Sequence, residues 1–163
     1  RIDPASDERR AYEQLLAVCY HQSKDFVKAR QQYELMLKSD PGSITAMNNL
    51  AFLLAENLNE PRQGVALAEK ARQLNPNEPQ VLDTLGWAHY RSGNLQEAER
   101  FLKRSVELQQ MAVNLYHLGV VQSDLGQSVT AEKTLNMARE LAQQNQDEET
   151  QAKAVEALRK LQR

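Results

Sequence analysis

Three histidines, one cysteine and 22 carboxylates are the groups in this 163-residue sequence that could carry acid–base, nucleophilic or metal chemistry. His21, His89 and His117 stand far apart, with none of the H-E-x-x-H spacing that sets two imidazoles on one helical face. We read His89 as filling a packing slot and the other two as lying on helix faces. The lone Cys19 excludes an internal disulfide and a cysteine-based zinc site, and it is expected to be a buried, inert packing residue. No G-x-G-x-x-G or G-x-x-x-x-G-K-[ST] loop is present to cradle a phosphate. The carboxylates are scattered through polar stretches, with no pair set in an apolar pocket that would drive two pKa values apart. The expectation is therefore no enzyme, no metal and no cofactor.

Charge narrows the partners. Twenty basic residues against 22 acidic ones leave a net charge of -2. A nucleic-acid binder draws most of its affinity from Lys and Arg against phosphates, so nucleic acid is not an expected partner. No apolar run approaches the ~20 residues that cross a bilayer, which argues against direct membrane insertion.

The elements that must position any site are helices. Alternating Val/Ile/Thr-rich runs, the mark of strands, are missing. Asp25, Ser43, Asn59, Asn77, Asn94 and Ser128 offer side-chain acceptors to first-turn N–H groups, and Pro61 and Pro79 suit first turns. The pattern predicts helices over 7–22, 25–38, 44–57, 60–74, 78–91, 95–109, 112–125, 128–144 and 147–161, joined by loops short enough to force antiparallel packing. A period runs through them. Gly86 and Gly119 are 33 apart, Gly93 and Gly126 are 33 apart, and so are Ala98 and Ala131. Self-similarity in the thirties signals a repeat architecture.

These helix pairs resemble the tetratricopeptide repeat, a 34-residue helix–turn–helix with the pattern W-x2-L-G-x2-Y…A-x3-F…P. Leu82, Leu85, Gly86 and His89 with Ala98 and Leu102 carry the resemblance in one repeat; Leu115, Leu118, Gly119 and Gln122 with Ala131 and Leu135 carry it in the next. Met47, Leu50, Ala51 and Leu54 with Gly64, Ala68 and Pro76 match upstream, as do Leu16, Ala17 and Tyr20 with Ala29, Tyr33 and Pro41. The resemblance implies an all-α, right-handed superhelix of four repeats at about 10–43, 44–78, 79–111 and 112–145. Residues 1–9 read as the tail of an upstream repeat or linker, and 146–163 as a capping helix rather than a fifth repeat. Further repeats upstream, in a longer bacterial protein, are expected. Small residues at 17, 51, 86 and 119 should mark the closest approach of paired helices, because a Gly inside a helix costs ~1 kcal/mol and needs a packing reason.

In that family the first helices line a concave groove. Carried over one residue at a time, the positions fall on Val18, Asn48, Phe52, Asp83, Trp87, Tyr90, Arg91, Tyr116 and Val120, with Asn49 beside them. Val18, Phe52, Trp87 and Val120 form an apolar row, and Trp87 and Phe52 are expected to anchor apolar side chains of a partner. The alternative for Trp87 is a wedge between neighbouring first helices. The subfamily that grips a C-terminal carboxylate with Lys, Asn, Asn, Lys and Arg is a poor match: Gln14, Val18, Asn49, Gln80 and Thr84 stand in those places, without a cation to pair with the carboxylate. The expected function is a non-catalytic scaffold that holds a protein or peptide partner in the groove. The rival is a structural spacer or self-association module of an envelope or exopolysaccharide assembly, with a homo-oligomer formed through the terminal repeat face.

Overall fold

The computed structural model describes residues 4–162, with side chains from Glu8 onward. Nine helices account for most of the described residues, and none of these is in a strand. They are α1 (Pro4–Gln22), α2 (Phe26–Ser39), α3 (Ile44–Glu56), α4 (Pro61–Leu74), α5 (Pro79–Arg91), α6 (Leu95–Leu108), α7 (Ala112–Asp124), α8 (Ser128–Gln144) and α9 (Glu148–Leu161). Eight of the nine end within one residue of the predicted bounds at each terminus. The exception is α1, which already begins at Pro4, so residues 4–9 are its first turns. The rest of the expected 1–9 segment lies outside the described residues.

Local chemistry explains the punctuation. The Asp25 and Ser43 carboxylate and hydroxyl accept from the backbone N–H of Lys28 and Ala46, and cap α2 and α3 as expected. Asn59, Asn77 and Ser128 do not cap: Glu60, Glu78 and Gln127 occupy those positions, and Asn94 caps α6 without a side-chain bond. Asn59 instead takes a left-handed turn at φ 55°, as Gly93 does at 84° and Gly126 at 76°. Each turn closes a first helix and reverses the chain, and short polar residues and glycine carry the left-handed region at least cost.

The helices pack as successive antiparallel pairs, α1 with α2 through α7 with α8, and each pair stacks on the next. The pairs close around small residues. A Cβ on Gly86 would lie 2.7 Å from Cγ of Leu102, and one on Gly119 would lie 2.6 Å from Cγ of Leu135. At Gly64 it would meet the carbonyl oxygen of Ala51 at 2.7 Å. The core is therefore a string of clusters at the junctions: Tyr33, Met36, Leu50 and Leu53 between the first two pairs, then Leu82, Leu85 and Phe101, then Leu102, Leu118 and Val121. α9 takes the place a further first helix would have, packing on α7 and α8 with Ala154 against Leu115 and Ala138. Its acidic first turn and basic last turn suit the helix dipole.

Candidate functional site

Stacking the pairs with one hand leaves the first helices side by side along the inner wall of the superhelix. There they bound a groove of about 720 Å³. α1 contributes Val18, His21 and Gln22; α3 contributes Asn48, Asn49, Phe52 and Glu56; α5 contributes Gln80, Asp83 and Thr84. Val113 of α7 and Glu149, Thr150 and Lys153 of α9 close the far wall. A second cleft of about 360 Å³ shares Asn48, Asn49 and Gln80 and runs out past Thr45, Asn75 and Glu78. The surface that results mixes apolar patches with side-chain amides, which both donate and accept.

Of the ten residues proposed from sequence, the structure brings Val18, Asn48, Asn49, Phe52 and Asp83 to this groove. The other five do not line it. Trp87 is only 5% exposed. Its ring stacks on His117 at 4.0 Å and on Tyr90 at 4.7 Å, while Nε1 donates to Oε2 of Glu56 at 2.8 Å. Trp87 is thus wedged between neighbouring first helices. A guanidinium nitrogen of Arg91 donates to the same Glu56 oxygen at 3.0 Å, and the Tyr90 hydroxyl donates to Asp124 at 2.8 Å. Burial together with the adjacent Asp124 carboxylate pushes the Tyr90 phenol up to about 12. Tyr116 is half-buried beside Trp87 and His117, and Val120 is half-buried farther along α7.

Two expectations are corrected. His117 is not on an open helix face; it is 4% exposed, and its Nδ1 donates to Oδ1 of Asp83 at 2.8 Å. A pair so deeply buried costs less together than either partner left alone. Cys19 is exposed rather than buried, because it lies on the side of α1 that no described helix covers. His89 does fill the packing slot, stacked on Phe101 at 5.5 Å, and burial holds its imidazole below the ordinary histidine range.

A signal for the missed residues was present in the sequence. Residues one repeat apart become neighbours across a junction, so complementary groups at that spacing form bonds. Asp83 and His117 are 34 apart, Tyr90 and Asp124 are 34 apart, Glu56 and Arg91 are 35 apart, and His21 bonds Asn57 at 36. These bonds cross-link successive first helices and set the floor beneath the groove. Among the described residues no group of three His, Cys, Asp or Glu side chains is arranged to hold a metal ion.

Comparison with known proteins fits this geometry. The family model for the tetratricopeptide repeat matches residues 79–110, the α5–α6 pair. A curated relative, the TPR repeat-containing protein PA4667 of Pseudomonas aeruginosa, is 31% identical over 83 residues. That match covers 51% of this chain and only 14% of the relative. Among solved structures, the thermophilic TPR protein TTC0263 of Thermus thermophilus superposes with a TM-score of 0.74 at 17% identity, over 88% of this chain and 78% of that one. The first TPR of Spaghetti (RPAP3), bound to the HSP90 peptide SRMEEVD, does so at 0.65 and 18% identity, over 73% of this chain and 94% of that one. Likeness at this identity speaks for the fold.

Proposed function

Since the chain is a tetratricopeptide-repeat protein, built on a fold that serves as a protein–protein interaction scaffold, we propose that it is non-catalytic and holds a segment of a partner protein in its concave groove. The observation that carries this reading is the groove itself. The four first helices and the capping helix α9 contribute to one continuous surface in which Val18 and Phe52 supply apolar contact and Asn48, Asn49 and Gln80 supply hydrogen bonds. Partly exposed apolar side chains ringed by polar groups are where interface energy concentrates. In the RPAP3 neighbour a repeat array of this fold holds a peptide. The absence of cations at the five clamp positions argues that the segment taken here is not recognised by a terminal carboxylate.

Trp87 has a supporting role in this reading. By holding Glu56 together with Arg91, and by stacking on His117, it fixes the wall rather than touching the partner. The test uses Val18→Arg with Phe52→Arg, two half-buried groove residues, in a capture from lysate of the source organism. Retention of a protein by the wild type and its loss from the folded variant is the expected result. Equal retention by both, with melting temperatures matched, would overturn the groove. Trp87→Ala is unsuitable for this purpose, since truncating a buried aromatic costs about 3–5 kcal/mol and would confuse unfolding with lost binding.

A further inference from the structure

Phe52, Glu56 and Asp83 all line the groove where it passes from α3 to α5. Phe52 and Glu56 stand one helical turn apart and so share a face of α3, and Asp83 reaches the same wall from α5. All three touch the stacked rings of Trp87 and His117. Glu56 accepts from the indole N–H of Trp87 at 2.8 Å, and Asp83 accepts from Nδ1 of His117 at 2.8 Å. The Phe52 ring is centred 6.3 Å from the His117 ring.

Each carboxylate is held at one oxygen. Trp87 and Arg91 both donate to Oε2 of Glu56, and His117 donates to Oδ1 of Asp83. Among the described residues, Oε1 of Glu56 and Oδ2 of Asp83 accept no hydrogen bond, and neither oxygen is sealed from solvent. The Asp83 side chain is 9% exposed yet belongs to the groove wall, so what is left open of it opens there. A carboxylate has roughly four acceptor sites, and a single donor leaves one this deeply buried under-satisfied. The charge of the groove points the same way. Histidine aside, its charged lining is Glu56, Asp83, Asp147 and Glu149 against Lys24 and Lys153, and Lys153 is paired with Glu149 at 2.6 Å.

An occupant of this place must donate, because a carboxylate oxygen only accepts, and it must cover a phenyl ring. A guanidinium does both: its planar face stacks on an aromatic ring while its edge carries several N–H donors. An ammonium is a compact, strongly hydrated charge that covers the ring less well. A metal ion is a poorer fit, since no group of three His, Cys, Asp or Glu side chains is arranged to hold one among the described residues. Resting on the groove reading above, we propose that Phe52, Glu56 and Asp83 form a subsite for an arginine side chain of the bound segment. The guanidinium lies against the Phe52 ring and directs its N–H groups to Oε1 of Glu56 and Oδ2 of Asp83. Arg91 approaches the other oxygen of Glu56 and leaves the subsite open.

The sole tryptophan supplies the readout, because the one indole N–H signal in the NMR spectrum of the isotope-labelled protein comes from the group bonded to Glu56. N-acetylarginine methylamide is titrated into the protein at low salt, beside its citrulline counterpart, which has nearly the same shape without the charge. The arginine amide should move the indole signal along a saturating curve, and the citrulline amide should bind at least about tenfold more weakly. Glu56→Gln and Asp83→Asn each keep an acceptor for the donors they hold. Each should weaken binding of the arginine amide about tenfold with the melting temperature unchanged. Equal responses to the two amides, no saturable response, or undiminished binding by both variants would overturn the subsite. The titration needs no partner protein, so it is independent of the lysate capture. A saturable arginine response beside a failed capture test would overturn the groove reading alone, and a captured partner with no arginine response would overturn the subsite alone.

Discussion

Replacing Gly86 with alanine sets two opposing effects against each other, and the structure decides between them. In an isolated helix the change stabilises by about 1 kcal/mol, because glycine has more backbone freedom to lose. Here the new methyl would sit 2.7 Å from Cγ of Leu102 and 3.1 Å from the carbonyl oxygen of Ala98. Leu102 is fully buried and has nowhere to move, and the carbonyl belongs to α6. Overpacking of this kind costs about 1–3 kcal/mol. The net expectation for Gly86→Ala is a loss of about 1 kcal/mol. Removing the obstructing side chain should reverse the sign. Leu102→Ala alone costs about 2–5 kcal/mol through its cavity, but in that background Gly86→Ala places its methyl in the space vacated. It should then stabilise by roughly 1 kcal/mol, so that the two changes couple by about 2 kcal/mol. The assay is urea unfolding of all four proteins followed by circular dichroism. Matched slopes are required, since unequal slopes in a repeat array signal loss of cooperativity rather than of stability. Additivity within about 0.5 kcal/mol would refute the close-approach account of the glycines.

Two further outcomes follow from buried polar groups. Gln122 is 2% exposed and its Oε1 makes no hydrogen bond, so Gln122→Met, similar in shape and without the orphaned acceptor, should raise stability by about 1 kcal/mol in the same urea assay; a loss would show that the amide is satisfied. The His89 imidazole is held below its ordinary value by burial, so as pH falls through the ordinary value the unfolded chain gains a proton that the folded one resists, and stability drops. Comparing urea midpoints at pH 7.5 and 5.5, His89→Phe should lose less on acidification than the wild type; an equal loss would assign the acid sensitivity elsewhere.

The helices, their pairing and the closest approaches were legible in the sequence because each is set locally or by a repeated local rule. Glycine or alanine at 17, 51, 86 and 119 and at 29, 64, 98 and 131 recurs with the period and is buried throughout, and the close approach is seen directly where Gly64 meets Ala51 and Gly86 meets Ala98. Hydrophobic spacing set the bounds of eight helices to within one residue, whereas α1 begins three residues before the expected start. Cap identity was less legible, since Asn59 and Glu60 are adjacent and only the backbone path decides which one turns and which one caps.

Groove membership depended on how far each first helix rotates toward its neighbour. The same apolar row gives Val18 and Phe52 on the groove surface but Trp87 in a wedge, because the ring of Trp87 finds His117 on one side and Glu56 on the other. Asp83 and His117 are each ordinary polar residues in the sequence, and only their meeting across a junction makes burial of both tolerable. Cys19 stands where Leu53, Ala88 and Val121 are buried, yet it is exposed, because burial at that position is conferred by a neighbouring helix pair and not by the residue. Sequence alone determined which segments are helical and that they repeat, since hydrogen bonding and periodic packing act within a few turns. Which faces are floor, wedge or open surface was decided only by the superhelix, which brings together groups some 34 residues apart.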